Sequence, residues 1–178
     1  MTFEEFYDIL KKESIEEDSL QALLVTALAE KGLHAATAES CTGGLVSARI
    51  TDVSGSSGVF DCGVCSYANR IKEQLLHVSA ETLKTCGAVS AQTARQMARG
   101  VRALSKADIG ISTTGVAGPT GGTRDKPVGL VYIGCCTARN TQVIKAQLDG
   151  NGKNGRSQIR KAASSIALYL ALQAAKAL

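Results

Sequence analysis

The sequence has no tryptophan, two prolines, two histidines, and only three phenylalanines and four tyrosines among its 178 residues. Beyond residue 31 the only aromatics are Phe60, Tyr67, Tyr132 and Tyr169, and there is no long Lys/Arg run. That leaves little on which bases could stack, so nucleic acid is not an expected partner. The longest uncharged C-terminal run, Ala162 to Ala175, falls short of the ~20 residues that span a bilayer. The N-terminus is acidic where a secretory signal would be basic and then apolar. A soluble, cytoplasmic protein with no membrane partner is expected.

Two histidines also limit the chemistry. His34 precedes an apparent strand and His77 follows Leu75-Leu76, and neither lies near a glycine-rich loop. A Ser-His-Asp triad is therefore poorly supported. The six cysteines, Cys41, Cys62, Cys65, Cys86, Cys135 and Cys136, lie mostly in apolar runs, where free cysteine behaves as a small hydrophobe. Without a secretory signal they should stay reduced. Cys62-x-x-Cys65 is a single pair in an apparent strand, so its members face opposite sides and suit no common metal. No zinc or other metal is expected.

The length fits one domain of ordinary size. The net charge of +4 is uneven: residues 1–31 hold eight acids against Lys11, Lys12 and Lys31, a net of −5, which leaves +9 on residues 32–178. A basic body attracts anions such as phosphate esters. Eighteen glycines point to tight loops where backbone approaches a ligand or another segment.

Helical spacing of Phe3, Phe6, Tyr7 and Leu10, then an apolar stripe from Leu20 to Ala29, predicts helix over the first thirty residues. Residues 1–15 read as a helical arm and 16–178 as the domain. From there strands alternate with helices, which predicts an α/β layer fold. Strands are expected at about 34–39, 59–66, 108–114, 130–137 and 142–148. Helices are expected at about 43–52, from Arg70, at 91–106 and at 157–178, with Ser79 and Ser90 as N-caps.

Four segments carry candidate chemistry. In Thr37-Ala-Glu-Ser-Cys-Thr-Gly-Gly44, Ser40 sits where a strand passes into a helix, beside backbone N–H groups able to hold an oxyanion or phosphate. An N-cap serine in a tight turn accounts for the same residues. Lysine is the alternative base for a serine when burial lowers its pKa. Lys72 is the candidate, in a first helical turn if Asn69 is the N-cap, where the dipole disfavours an ammonium; a solvated surface lysine is the other reading. The long loop from Gly115 to Gly129 offers glycines, hydroxyls, Arg124 and Lys126 to a phosphate or ribose, or is a plain hairpin connection. Arg156 and Arg160 open the last helix, against its dipole, beside an anion or in solvent.

Thr37–Gly44, Gly55-Ser-Ser57, Tyr67-Ala-Asn-Arg-Ile-Lys72, Gly87-Ala-Val-Ser90 and the Gly115–Gly129 loop with Lys126-Pro-Val-Gly129 closely resemble, in order and spacing, the CinA C-terminal domain family. Its characterised members are nicotinamide-nucleotide amidohydrolases. The resemblance covers roughly residues 16–178. It implies a three-layer α/β/α sandwich with a mixed, mostly parallel five-stranded sheet. It implies hydrolysis of the carboxamide of nicotinamide mononucleotide to nicotinate mononucleotide and ammonia, without cofactor or metal, and a homodimer.

By that resemblance Ser40 is the nucleophile, Lys72 its base, and Tyr67 a hydrogen-bonding support for the pair. Cys41, Thr42, Gly43, Gly44, Thr114, Gly115, Gly118, Thr120 and Gly121 line the substrate pocket, and Arg156 meets the substrate phosphate. The amides from Cys41 to Gly44 are the expected oxyanion donors. The family usually reads Gly-Asp-Arg before the last helix; here the segment is Asp149-Gly-Asn-Gly-Lys-Asn-Gly-Arg156, with Arg156 still alignable. Family members also occur fused behind another domain, and this chain reads as a stand-alone form. The rival expectations are a non-catalytic nucleotide-binding module, an amidase for a related small amide, and a Cys41 nucleophile.

Overall fold

The computed structural model describes residues 1–150 and 155–178. Five strands form one sheet in the order β2-β1-β3-β4-β5: β1 (Ala35–Glu39), β2 (Phe60–Cys65), β3 (Ile109–Gly115), β4 (Leu130–Cys136) and β5 (Thr141–Gln147). β1 pairs in parallel with both β2 and β3, while β4 runs antiparallel to its neighbours β3 and β5. Four strands thus point one way and β4 alone opposes them; the sheet is mixed, with two parallel and two antiparallel pairings rather than mostly parallel ones.

Helices cover both faces. On one lie α1 (Phe3–Lys12), α2 (Leu20–Lys31), α3 (Leu45–Thr51) and α7 (Gly155–Ala177); on the other lie α4 (Asn69–Leu76), α5 (Ala80–Thr85) and α6 (Ala91–Ser105). The larger core, which includes Leu24, Ile50, Ile133 and Ile166, fills the first face, and a smaller one around Met97, Val101 and Leu76 fills the second. The layer architecture buries the apolar stripe of each helix against the sheet. The α1 segment joins the larger core: Phe6 and Leu10 are buried, and a Thr2–Glu5 capping box starts the helix.

Alternation along β1 decides where the chemistry can lie. Ala36 and Ala38 face α6, while Ala35, Thr37 and Glu39 face the α3 side. After Glu39 the chain turns through Gly43 (φ 59°) and Gly44 (φ 93°), left-handed conformations that favour glycine. That turn delays α3 to Leu45, two residues later than the spacing predicts. Ser79 and Ser90 cap as expected, each accepting from the amide three residues on. α4 starts at Asn69 with Ala68 as its N-cap and no side-chain cap bond, so the expected asparagine cap is not made.

Candidate active site

Ser40 leaves the carboxyl end of β1, its amide bonded to the Thr113 carbonyl of β3 at 2.9 Å. Ligands of open α/β sheets sit at that edge. From the adjoining edge, α4 projects Lys72 inward. Its Nζ donates to Ser40 Oγ at 3.2 Å and to the Ser66 carbonyl at 2.6 Å. Lys72 is 1 % exposed, and among the described residues no carboxylate lies within ion-pair range. Burial pushes its pKa below the ordinary lysine value, because the charged form loses its water without gaining a counterion. The solvated-lysine reading is thereby removed.

The helix N-terminus, in turn, does not face Ser40. Glu39, 1 % exposed, fills it instead. Its Oε2 accepts from the amides of Gly44 and Val46, both at 3.0 Å, and from the Thr42 hydroxyl at 2.7 Å. Its Oε1 accepts from the amide and hydroxyl of Ser47 at 2.8 and 2.6 Å. On the opposite side of the turn, Arg160 donates from Nε and Nη2 to the Thr42 carbonyl at 3.1 and 2.6 Å. A carboxyl group and a guanidinium therefore grip one short turn from its amide side and its carbonyl side, fixing the peptide planes next to Ser40. Ser40 itself is no N-cap: α3 is capped by Gly44, without a side-chain bond.

These contacts correct several expectations. Gly44's amide is committed to Glu39, so the oxyanion donors narrow to the amides of residues 41–43. The Thr42 side chain is fully buried between Glu39 and Thr113, and the Thr114 hydroxyl is buried and donates to the Ala88 carbonyl; both brace the sheet edge rather than offer a hydroxyl to a ligand. Cys41 is 6 % exposed, and burial pushes its thiol up to about 12, which removes it as a nucleophile. Neither histidine approaches: His34 pairs with Asp61 at 2.7 Å, and His77 ends α4 in a left-handed conformation.

Arg156, in the first turn of α7, reaches back over the edge. Its Nη1 donates to the Gly118 carbonyl at 2.6 Å and its Nη2 to Tyr67 Oη at 3.4 Å. Tyr67 is 68 % exposed and bonds to Arg156, not to Ser40 or Lys72. The loop after β3 is anchored at one side by the Lys126 ammonium, which donates to the Cys86 carbonyl at 2.7 Å. Gly118 is buried beside Arg156, Gly115 pairs with Val131, and Thr120 and Gly121 lie exposed on the outer part of the loop. Of the Asp149–Arg156 turn, residues 151–154 lie outside the described residues.

Sequence reasoning assigned no role to Glu39 or Ser66. The available signal for Glu39 was its place in the alternation, which sets it on a buried face just before a glycine turn. Ser66, fully buried, supplies the carbonyl that holds Lys72, and its own hydroxyl has no hydrogen-bond partner among the described residues. Among the described residues no group of three or more His, Cys, Asp or Glu gathers as a metal site, and no helix is long and apolar enough to cross a membrane.

Comparison with known proteins agrees with this arrangement. The "CinA C-terminal domain" family model matches residues 17–175. A "Putative competence-damage inducible protein" of Thermoanaerobacter sp. (strain X514) is 50% identical over 147 residues, 83% of this chain but 35% of that protein. Another so named, from Caldanaerobacter subterraneus subsp. tengcongensis, is 49% identical over 138 residues, 78% of this chain and 34% of its own length. The chain thus spans about a third of these curated relatives. The crystal structure of competence/damage inducible protein CihA from Agrobacterium tumefaciens superposes with a TM-score of 0.83 at 41% identity, covering 90% of this chain and 95% of that one. With the match running from before α2 into the last turns of α7, and with sheet, turn and buried lysine all contained in it, the chain belongs to the CinA C-terminal domain family.

Proposed function

We propose that this domain is a serine amidohydrolase acting on the carboxamide of nicotinamide mononucleotide. The observation that carries the reading is the Lys72 Nζ, buried, without a counterion, and 3.2 Å from Ser40 Oγ. A lysine so placed is readily neutral, and a neutral amine is a base. Arg156 favours a substrate bearing an anionic phosphate on the same edge.

In the proposed cycle neutral Lys72 takes the Ser40 Oγ proton as Oγ attacks the carboxamide carbon. The carbonyl electrons move onto oxygen, which the amides of residues 41–43 hold; each such donor contributes about 3 kcal/mol at the transition state. Collapse expels the amine, which leaves as ammonia with the proton carried by Lys72, and an acyl ester remains on Ser40. Water then attacks the ester and gives its proton to Lys72. Nicotinate mononucleotide departs as Oγ recovers that proton. Glu39 and Arg160 act on the turn, not on the substrate.

An ammonia-release assay with nicotinamide mononucleotide, nicotinamide and glutamine in parallel tests this. Release from the mononucleotide alone is expected, with none from Ser40→Ala. Release from glutamine or free nicotinamide instead would make it an amidase of a different small amide. Release from none would leave a nucleotide-binding module.

A further inference from the structure

The far end of the sheet holds a second concentration of positive charge that the proposed reaction does not use. Helix α6 carries Arg95, Arg99 and Arg102 and no acidic residue along its fifteen residues. The β4–β5 hairpin sets Arg139 opposite them. Register places this hairpin well away from Ser40: Cys136 pairs with Gly110 at the start of β3, whereas Glu39, just before Ser40, pairs with Thr113 near its end. Three residue steps of strand, roughly 10 Å, separate the two levels along β3.

Each of these guanidinium groups is steadied by a neutral oxygen. Arg95 Nη1 donates to the Thr141 carbonyl at 2.8 Å, Arg99 Nε to Thr141 Oγ1 at 3.1 Å, Arg102 Nε to the Asp108 carbonyl at 3.0 Å, and Arg139 Nη1 to the Ala177 carbonyl at 3.1 Å. None of the four lies within 4.0 Å of a carboxylate among the described residues. Asp108, the acid nearest in sequence, turns its Oδ2 to the His34 amide. Arg99, Arg102 and Arg139 border one cavity of about 310 Å³, floored by the hairpin turn. A second, about 260 Å³, opens on the other side of Arg139 and Asn140 and is walled by Cys135, Ala174 and Gln173.

We infer that this pair of cavities is an anion site for a phosphate group, free or carried as a monoester, separate from the Ser40 edge. A guanidinium presents five N–H donors in a planar fork that matches phosphate oxygens, and anchoring one N–H orients the rest. Three such forks around one hollow, without a carboxylate among them, complement a dianion. The adjoining cavity, part apolar and lined by Ala174 and Ala177 with Asn140 and Gln173, whose Nε2 donates to Glu13, gives the organic part of an ester a place beside the phosphate. The source of the phosphate is either a nucleotide or the free ion, and the two differ in whether the second cavity is filled.

The test is a 15N NMR titration of the full chain carrying Arg156→Gln, which weakens the proposed substrate edge, with inorganic phosphate and with adenosine monophosphate in parallel. The expected result is saturable shifts of the 137–141 amides and of the Arg99 and Arg102 Nε–H signals, all with one Kd. In an Arg99→Gln/Arg102→Gln variant of matching Tm, that Kd should weaken at least tenfold. Tighter binding of the mononucleotide assigns the site to nucleotides; equal binding assigns it to free phosphate. Linear shifts, the same shifts with sodium chloride at equal ionic strength, or an unchanged Kd in the double variant would overturn the inference.

Discussion

Among the described residues two long cations are buried, and they are treated differently. Arg49, 9 % exposed, is saturated: Nη1 donates to the hydroxyls of Ser164 and Ser165, Nη2 to the Glu17 carbonyl and Gln21 Oε1, and Nε to the same Gln21 oxygen. Glu17 and Asp18 add favourable charge, although burial outweighs them and lowers the guanidinium's pKa. Lys72, still more enclosed, has two oxygen partners, one of them the Ser40 hydroxyl, and no acid beside it. A guanidinium stays protonated in proteins, so Arg49 is a permanent charge stitching α3 to α7. An amine can give up its proton, and the sparse surroundings of Lys72 favour that. Under-satisfaction of a buried cation, more than burial itself, separates the base from the brace.

The largest expected effect comes from removing the difference. Lys72→Met should lower ammonia release by a factor on the order of 10⁴ with the fold retained. Lys72→Arg should fail equally, because a guanidinium is not a base at working pH. Full turnover in either variant, measured alongside Tm, would end the comparison. Next in size, Arg49→Met strands several polar groups between α3 and α7, which should cost about 3 kcal/mol and lower Tm by roughly 10 °C. The folded fraction at 25 °C should keep its kcat. If kcat collapsed instead, Arg49 would not be a mere brace.

A pH titration sharpens the contrast. With the Lys72 pKa lowered on folding, the unfolded chain binds more protons between the folded value and the ordinary 10.5, so stability contributed by this group rises with pH across that window. Turnover should rise over the lower limb of the same window. Chemical denaturation at several pH values should show the slope in the parent and a flatter profile in Lys72→Met. The smallest effect is expected of Tyr67→Phe, whose hydroxyl receives Arg156 rather than touching the dyad. It should raise KM several-fold and leave the pH midpoint in place; a displaced midpoint would return Tyr67 to the dyad-supporting role that the family resemblance implies.

Much of the site was legible because its signals were local. A serine before two glycines, a lysine early in a helix and the shortage of histidine made Ser40 and Lys72 candidates, and the family resemblance paired them, before any geometry was known. The element order was equally readable, since strand and helix periods alternate cleanly after residue 33. What could not be read was how charged side chains are committed. Glu39 and Arg49 look like surface charges in a linear string, yet both end almost wholly enclosed: Glu39 accepts from amides and hydroxyls of the turn that follows it, a geometry that exists only once the turn has folded, and Arg49 needs the hydroxyls of Ser164 and Ser165 from the distant α7. The anchor that Lys126 provides was equally unreadable: its ammonium donates to the Cys86 carbonyl, forty residues back.

Gly63 lies exposed on β2, the edge strand, and touches neither Ser40 nor Lys72. A Cβ there would overlap the Ser47 hydroxyl, the group that donates to Glu39 Oε1 and also bonds Thr37. The space beside a surface glycine is therefore already occupied by the scaffold of the nucleophile's turn. Tolerance to mutation in this domain should follow that chain of hydroxyls inward: an alanine at position 63, harmless by any measure of exposure, should displace Ser47 and through Glu39 disturb the turn beside Ser40.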